Sequence, residues 1–143
     1  MTNTERTMLN EHFMLYEMTR SGVATEHNLP NRPDAKQTEA LRALCQNVLE
    51  PLRRRFGPIV ISSGYRSLAV NRLIAGAAPA SQHTKGEAAD LVIGSPERGI
   101  AMYRYIRANL DFDQLIWEPI GAELPRWIHV SYTLRRKNRH SVL

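Results

Sequence analysis

The segment Ser81-Gln82-His83-Thr84-Lys85-Gly86-Glu87-Ala88-Ala89-Asp90 sets a histidine and an aspartate seven residues apart, with a glycine between them and the apolar run Leu91-Val92-Ile93 behind. Another histidine, His129, stands in Trp127-Ile128-His129-Val130-Ser131-Tyr132, which alternates like a strand. Imidazole nitrogens and carboxylate oxygens ligate metals. Two histidines and one carboxylate are a typical ligand set for a catalytic zinc ion, with an open position for water. Either His83 or Asp90 alone reads as an ordinary loop or strand-edge residue. The combination, with His129 placed mid-strand, reads as a site.

The elements that carry these residues are constrained by reach. Seven residues on one helix span roughly 10 Å, whereas zinc bonds are only about 2 Å long. His83 and Asp90 therefore cannot share an ion from a straight helix. They can share one if His83 lies on a loop and the chain turns back at Gly86 into a strand, a turn whose backbone angles glycine tolerates. On that strand Ala88, Asp90 and Val92 share a face, and the small Ala88 leaves room beside the carboxylate.

The pattern Ser-x-His-x-x-Gly-x-Ala-x-Asp followed by Trp-x-His-Val-Ser resembles the zinc D-alanyl-D-alanine carboxypeptidase family. That family includes phage endolysins and the dipeptidases of vancomycin resistance, and shares its fold with the hedgehog signalling domain. Ser63-Gly64-Tyr65-Arg66-Ser67 is similar to its upstream motif, and the resemblance covers roughly residues 10 to 133. It implies His83, Asp90 and His129 as zinc ligands and Arg66 as the residue that holds the substrate's carboxylate. A guanidinium suits that task because it binds a carboxylate through two parallel hydrogen bonds. Ser81, two residues before the first ligand, either hydrogen-bonds substrate or braces the loop.

Hydrolysis also needs a base to take a proton from water and pass it to the leaving amine. In the vancomycin-type relatives that base is a glutamate three residues before the last histidine, and here the position is Arg126. Glu118 and Glu123 are the nearby acids. If Glu118 pairs with Trp127 across a hairpin, Ile116 pairs with His129, and Glu118 and His129 point to one face. A slip of one residue would turn Glu118 away. Glu118 is the expected base, and Glu123, at a loop tip, is the weaker candidate.

The 143 residues suffice for one domain with one core, with residues 1–9 and 134–143 expected as mobile ends. No apolar run approaches the length of a transmembrane helix, and the polar N-terminus lacks the apolar centre of a signal peptide. Synthesis in the cytoplasm is expected, with action at the cell wall after release or as part of a virion. Cys45 is a lone cysteine in a helical pattern, which fits a small buried hydrophobe. The net charge of +5 favours polyanionic partners. Much of it lies in Arg53-Arg54-Arg55, read as a helix end, and in Arg135-Arg136-Lys137-Asn138-Arg139, read as a solvated tail with attraction to an anionic cell envelope as the functional alternative.

Leu41, Leu44, Cys45, Val48, Leu49 and Leu52 recur at three and four, which predicts a helix from Asp34 to about Phe56, kinked or reopened at Pro51. Strands are expected at 59–63, 88–93, 113–117 and 126–132. Short helices are expected after Ser67 and after Ser95-Pro96. The fold class is α+β, a small mostly antiparallel sheet with helices on one face, of hedgehog/DD-peptidase type.

The resulting expectation is a zinc peptidase acting on peptidoglycan peptides at a bond involving a D-amino acid, such as D-Ala-D-Ala or L-Ala-D-Glu, in phage or prophage lysis. Its rival is a hedgehog-like module that keeps zinc without hydrolysis, a reading favoured by Arg126. A nucleic-acid partner is not expected, since no recognition-helix or stacking motif accompanies the charge.

Overall fold

The six apolar residues of the long periodic stretch are all fully buried along one rod. In the computed structural model, which describes residues 1–143, this rod is α3 (Ala35–Leu44), a π turn at Cys45–Leu49 and α4 (Glu50–Phe56). Asp34 caps it, accepting a hydrogen bond from the Gln37 backbone N–H at 2.7 Å. Pro51 explains the wide turn: proline has no N–H to donate back to residue 47, and its ring crowds that carbonyl. The chain widens just before it instead of breaking.

The sheet has five strands in the order β1-β2-β4-β3-β5: β1 Ile61–Ser63, β2 Ala88–Val92, β3 Gln114–Glu118, β4 Trp127–Ser131 and β5 Ser141–Val142. The first four pair antiparallel and β5 joins β3 in parallel. Alternation divides the sheet. Ala89, Leu91, Leu115, Ile128 and Val130 are fully buried toward the core. Full burial of each of the larger ones, leucine, isoleucine or valine, contributes about 1.5–3 kcal/mol. The opposite face carries Asp90 and His129. Helix α6 (Pro96–Asn109), capped by Ser95 with Pro96 at its first position, packs on β3, β4 and α4. Helix α5 (Leu68–Arg72) is capped by Ser67. No helix is long and apolar enough to cross a membrane.

Helix α1 (Leu15–Thr19) is followed by α2 (Gly22–Glu26), with the Ser21 hydroxyl accepting from Ala24 N–H. Two features depart from the sequence reading. Residues 1–9 are not a frayed end throughout, because Leu9 is fully buried and the Thr7 and Glu5 carbonyls accept from Leu15 and Tyr16 N–H. Residues 134–143 are not a loose tail. Arg135 is paired with Glu87, Arg136 and Arg139 are paired with Asp113, and the chain ends in β5. Glu87 and Asp113 are buried carboxylates, and buried charge requires partners of opposite sign. That demand holds the arginines in place.

Candidate metal centre

Asp90 and His129 are direct partners in the β2–β4 ladder, and His129 is the direct partner of Ile116 on β3. Directly paired residues share a face. Asp90, His129 and Ile116 therefore form one row across the sheet, and a bulge in β1 brings Ser63 to its end opposite Asp90. His83 reaches this row from outside the sheet, on a short 3₁₀ helix, Gln82–Lys85. The Ser81 hydroxyl caps that helix by accepting from His83 N–H at 3.2 Å. Gly86 ends it with a positive φ of 73°, in the left-handed region that suits glycine. A Cβ at Gly86 would also collide with the Gln37 carbonyl. The turn into the aspartate strand is the one that the spacing required.

One ligand atom each from His83, Asp90 and His129 lies within 4.8 Å of the others. Asp90 Oδ1 is 3.0 Å from His129 Nδ1 and 3.4 Å from His83 Nε2. The other ring nitrogen of His83, Nδ1, is 2.7 Å from the Gly64 carbonyl oxygen. A carbonyl only accepts, so Nδ1 carries the hydrogen. Burial of His83 pulls its pKa below the ordinary value, against the opposing pull of Asp90, and favours the neutral ring. Neutral His83 then presents a bare Nε2 lone pair to a carboxylate oxygen. Burial opposes ionisation of Asp90, but the neighbouring imidazoles, His129 foremost, outweigh it and hold the carboxyl well below the usual range. Two electron-pair donors facing one another are resolved by a cation between them. The donor set, with His83 oriented by a backbone carbonyl, fits a metal.

A family model for peptidase M15 matches residues 11–131. The chain belongs to the peptidase M15 family. Among curated protein sequences none matches significantly. Family membership makes the protein a metallopeptidase of a zinc-dependent type, and His83, Asp90 and His129 are the group in this M15 peptidase that suits the ion.

A second cluster, Glu11, His12 and Glu50, also has ligand atoms within 4.8 Å of one another. There the buried Glu50 carboxylate already takes a hydrogen bond from Asn10 at 3.2 Å and pairs with His12 at 2.7 Å and Arg54 at 3.8 Å. The guanidinium stands where a cation's charge would be needed, so the cluster is satisfied without one.

Arg66 of the M15 peptidase lies beside the triad. Its Nε donates to Ser63 Oγ at 3.0 Å, Nη1 to Asn71 Oδ1 at 3.3 Å and Nη2 to Asp90 Oδ2 at 3.4 Å. Asp90 thus offers one oxygen to the histidines and the other to Arg66. Asn71 is buried and donates in turn to the Ala78 carbonyl at 2.8 Å. Sequence reasoning missed Asn71 and assigned no role to the Gly64 carbonyl. Nothing in residue type marks Asn71 among other helix polars. The glycine, however, stood in the recognised motif, and Gly64 is where the chain passes too close to Met18 for any Cβ.

The acids separate by register. Glu118 pairs with Trp127 and Ile116 with His129, so Glu118 lies on the ligand face, one pleat (about 7 Å) along β3 from the metal row. It is partly buried, and burial raises its pKa, with Asp90 adding to the rise and His129 opposing it. Glu123 and Arg126 are exposed outside the paired strands. A cavity of about 700 Å³ lies between the N-terminal segment, α1, α2 and residues 28–33, and none of its lining residues is a ligand.

Proposed function

We propose that this M15 peptidase is a zinc enzyme that hydrolyses peptide bonds of peptidoglycan involving D-amino acids, as a D-Ala-D-Ala carboxypeptidase or an L-Ala-D-Glu type endopeptidase. The observation that carries the reading is the convergence of His83 Nε2 and His129 Nδ1 on Asp90 Oδ1, at 3.4 and 3.0 Å. When bound by these three residues, zinc supplies polarisation of the scissile carbonyl and activation of water.

The chain's own residues do the rest. Glu118, on the ligand face and with a raised pKa, takes the proton from the attacking water and returns it to the leaving amine. Arg66 has three of its five N–H donors engaged by Ser63, Asn71 and Asp90. The remainder of its fork holds a substrate carboxylate near the metal row. Ser81 braces the ligand loop as its cap, and its hydroxyl hydrogen remains for substrate. Trp127 and Val92 are cross-strand partners on the ligand face, Val92 exposed, and offer an apolar shelf for a peptide side chain.

Phage or prophage lysis, with action at the wall after release or from a virion, is the setting that the resemblance to endolysins suggests. The non-catalytic, hedgehog-like reading drew on Arg126 in place of the relatives' glutamate. The register of β3 supports hydrolysis instead, because it supplies Glu118 from another strand.

The test is incubation of the purified protein with purified peptidoglycan, with released fragments read by mass spectrometry. Parallel samples contain a chelator or the His83→Ala protein. New fragments that vanish in both controls are expected, and their masses name the bond. A folded, zinc-loaded protein that releases nothing from several wall types would leave the non-catalytic module.

A further inference from the structure

The C-terminal arginines are tied to the metal loop through two of its side chains, Gln82 and Glu87. Gln82, the residue before ligand His83, directs its amide nitrogen at two buried carboxylates. Nε2 is 3.0 Å from Glu87 Oε1 and 2.9 Å from Asp113 Oδ2. An amide nitrogen carries two hydrogens, one for each acid. Both acids are otherwise held by the chain's last segment. Glu87 takes Arg135 Nε at 2.7 Å, Arg135 Nη2 at 2.9 Å and Thr133 Oγ1 at 2.9 Å. Asp113 takes Arg139 Nη2 and Arg136 Nη2, each at 2.8 Å, and both Nε and the backbone N–H of Arg139 at 3.1 Å. Gln82's own carbonyl accepts from Glu87 N–H at 3.0 Å, closing residues 82–87 into a ring. The arginines lie outside the residues matched by the M15 family, 11–131.

We propose that Gln82 is a positioning residue for the metal centre, and that residues 133–139 form a strap that fixes His83 through Gln82, Glu87 and Asp113. This rests on the reading of His83, Asp90 and His129 as metal ligands. The arrangement separates two tasks. Each acid keeps its arginine when the Gln82 amide is removed, so the fold retains its buried ion pairs. The loop that carries His83 loses its side-chain anchor to the two buried acids. Its remaining ties are the ring closure, the Ser81 cap, the Arg66 N–H to the His83 carbonyl at 3.0 Å, the His83 Nδ1 bond to the Gly64 carbonyl at 2.7 Å and the bond from Gln37 Nε2 to the Thr84 carbonyl at 3.2 Å. Ligands held by outer partners bind metal more tightly because less freedom is lost on binding, and removing such a partner costs about 10–100-fold in affinity.

The test uses the full chain. Gln82→Met keeps the length of the side chain and removes both donors, and Arg135→Gln loosens the strap itself. Arg98→Ala is the control: it removes bonds to the Ile93 and Pro58 carbonyls, away from the metal loop. Zinc affinity is measured by competition with a chromophoric chelator. The visible spectrum of the cobalt-substituted protein reports ligand geometry. Unfolding of the metal-free protein reports stability. Gln82→Met is expected to bind zinc about 10–100-fold more weakly, with altered cobalt bands and no greater stability loss than Arg98→Ala. Arg135→Gln should shift affinity in the same direction, and if it fails to fold Gln82→Met decides alone. Wild-type affinity and cobalt bands in Gln82→Met would overturn the proposal while leaving the metal reading intact. A wild-type protein that binds neither metal would overturn both.

Discussion

Asp90 and His129 face each other across the β2–β4 ladder, and Asp90 Oδ1 lies 3.0 Å from His129 Nδ1. Because backbone pairing fixes this contact, two of the three candidate ligands are set by the sheet itself. Asp90→Ala should therefore leave a folded protein that no longer retains metal. Its loss of affinity should exceed the roughly 10–100-fold cost of removing an outer partner. Metal content after gel filtration, with circular dichroism as the check on folding, measures it.

Glu118 lies one pleat from that row on the same face. Glu118→Gln preserves shape and removes the base. Peptidoglycan hydrolysis should fall by about 10²–10⁴-fold with zinc content unchanged, whereas Glu123→Gln should hydrolyse at the wild-type rate. Equal loss in both variants would point to a general effect of the hairpin rather than to proton transfer.

Gly86 holds a left-handed backbone against the Gln37 carbonyl. Gly86→Ala pays for the left-handed conformation, about 1–2 kcal/mol, and collides with that carbonyl. A lower urea midpoint and weaker zinc retention are expected together, because the same turn delivers His83. Gly121→Ala, also at positive φ but with open space around it, should lower the midpoint without touching zinc.

The strap makes stability depend on acid. Burial pushes Glu87 and Asp113 up, but hydrogen bonding outweighs it, from Arg135, Gln82 and Thr133 on Glu87 and from Arg139 and Gln82 on Asp113. Both carboxyls titrate lower in the folded chain than in the unfolded one. Their contribution is present above the unfolded values, about 3.9 for Asp and 4.3 for Glu. It is lost as pH falls through the lower, folded values. Urea unfolding from pH 6 down to pH 2 should show stability falling in the acid limb, and Arg139→Gln should flatten that fall.

Cys45 is fully buried, and burial drives its thiol pKa well above the ordinary value, with Glu17 adding to the rise. Thiolate is the reactive form. The native protein should resist a thiol reagent that modifies it at once in denaturant. Rapid labelling under native conditions would contradict the packing around the π turn.

The placement of His83 and Asp90 was legible in the sequence because the requirement was local. His83 and Asp90 had to be on different elements, and the glycine between them and the small-residue strand after it were enough to say so. The helix through Cys45 and the caps at Ser67 and Ser95 were equally local, since periodicity and capping act within a few residues. Tertiary structure decided the rest. The position of Glu118 depended on a register between strands nine or more residues apart in sequence, where one slip reverses the face. Arg66's engagement with Asp90 required β1 and β2 to meet with a bulge. The basic tail looked solvated because a run of arginines reads the same whether its counter-charges are in water or in the core. Only the fold buried Glu87 and Asp113, and a buried carboxylate without its arginine is too costly to keep.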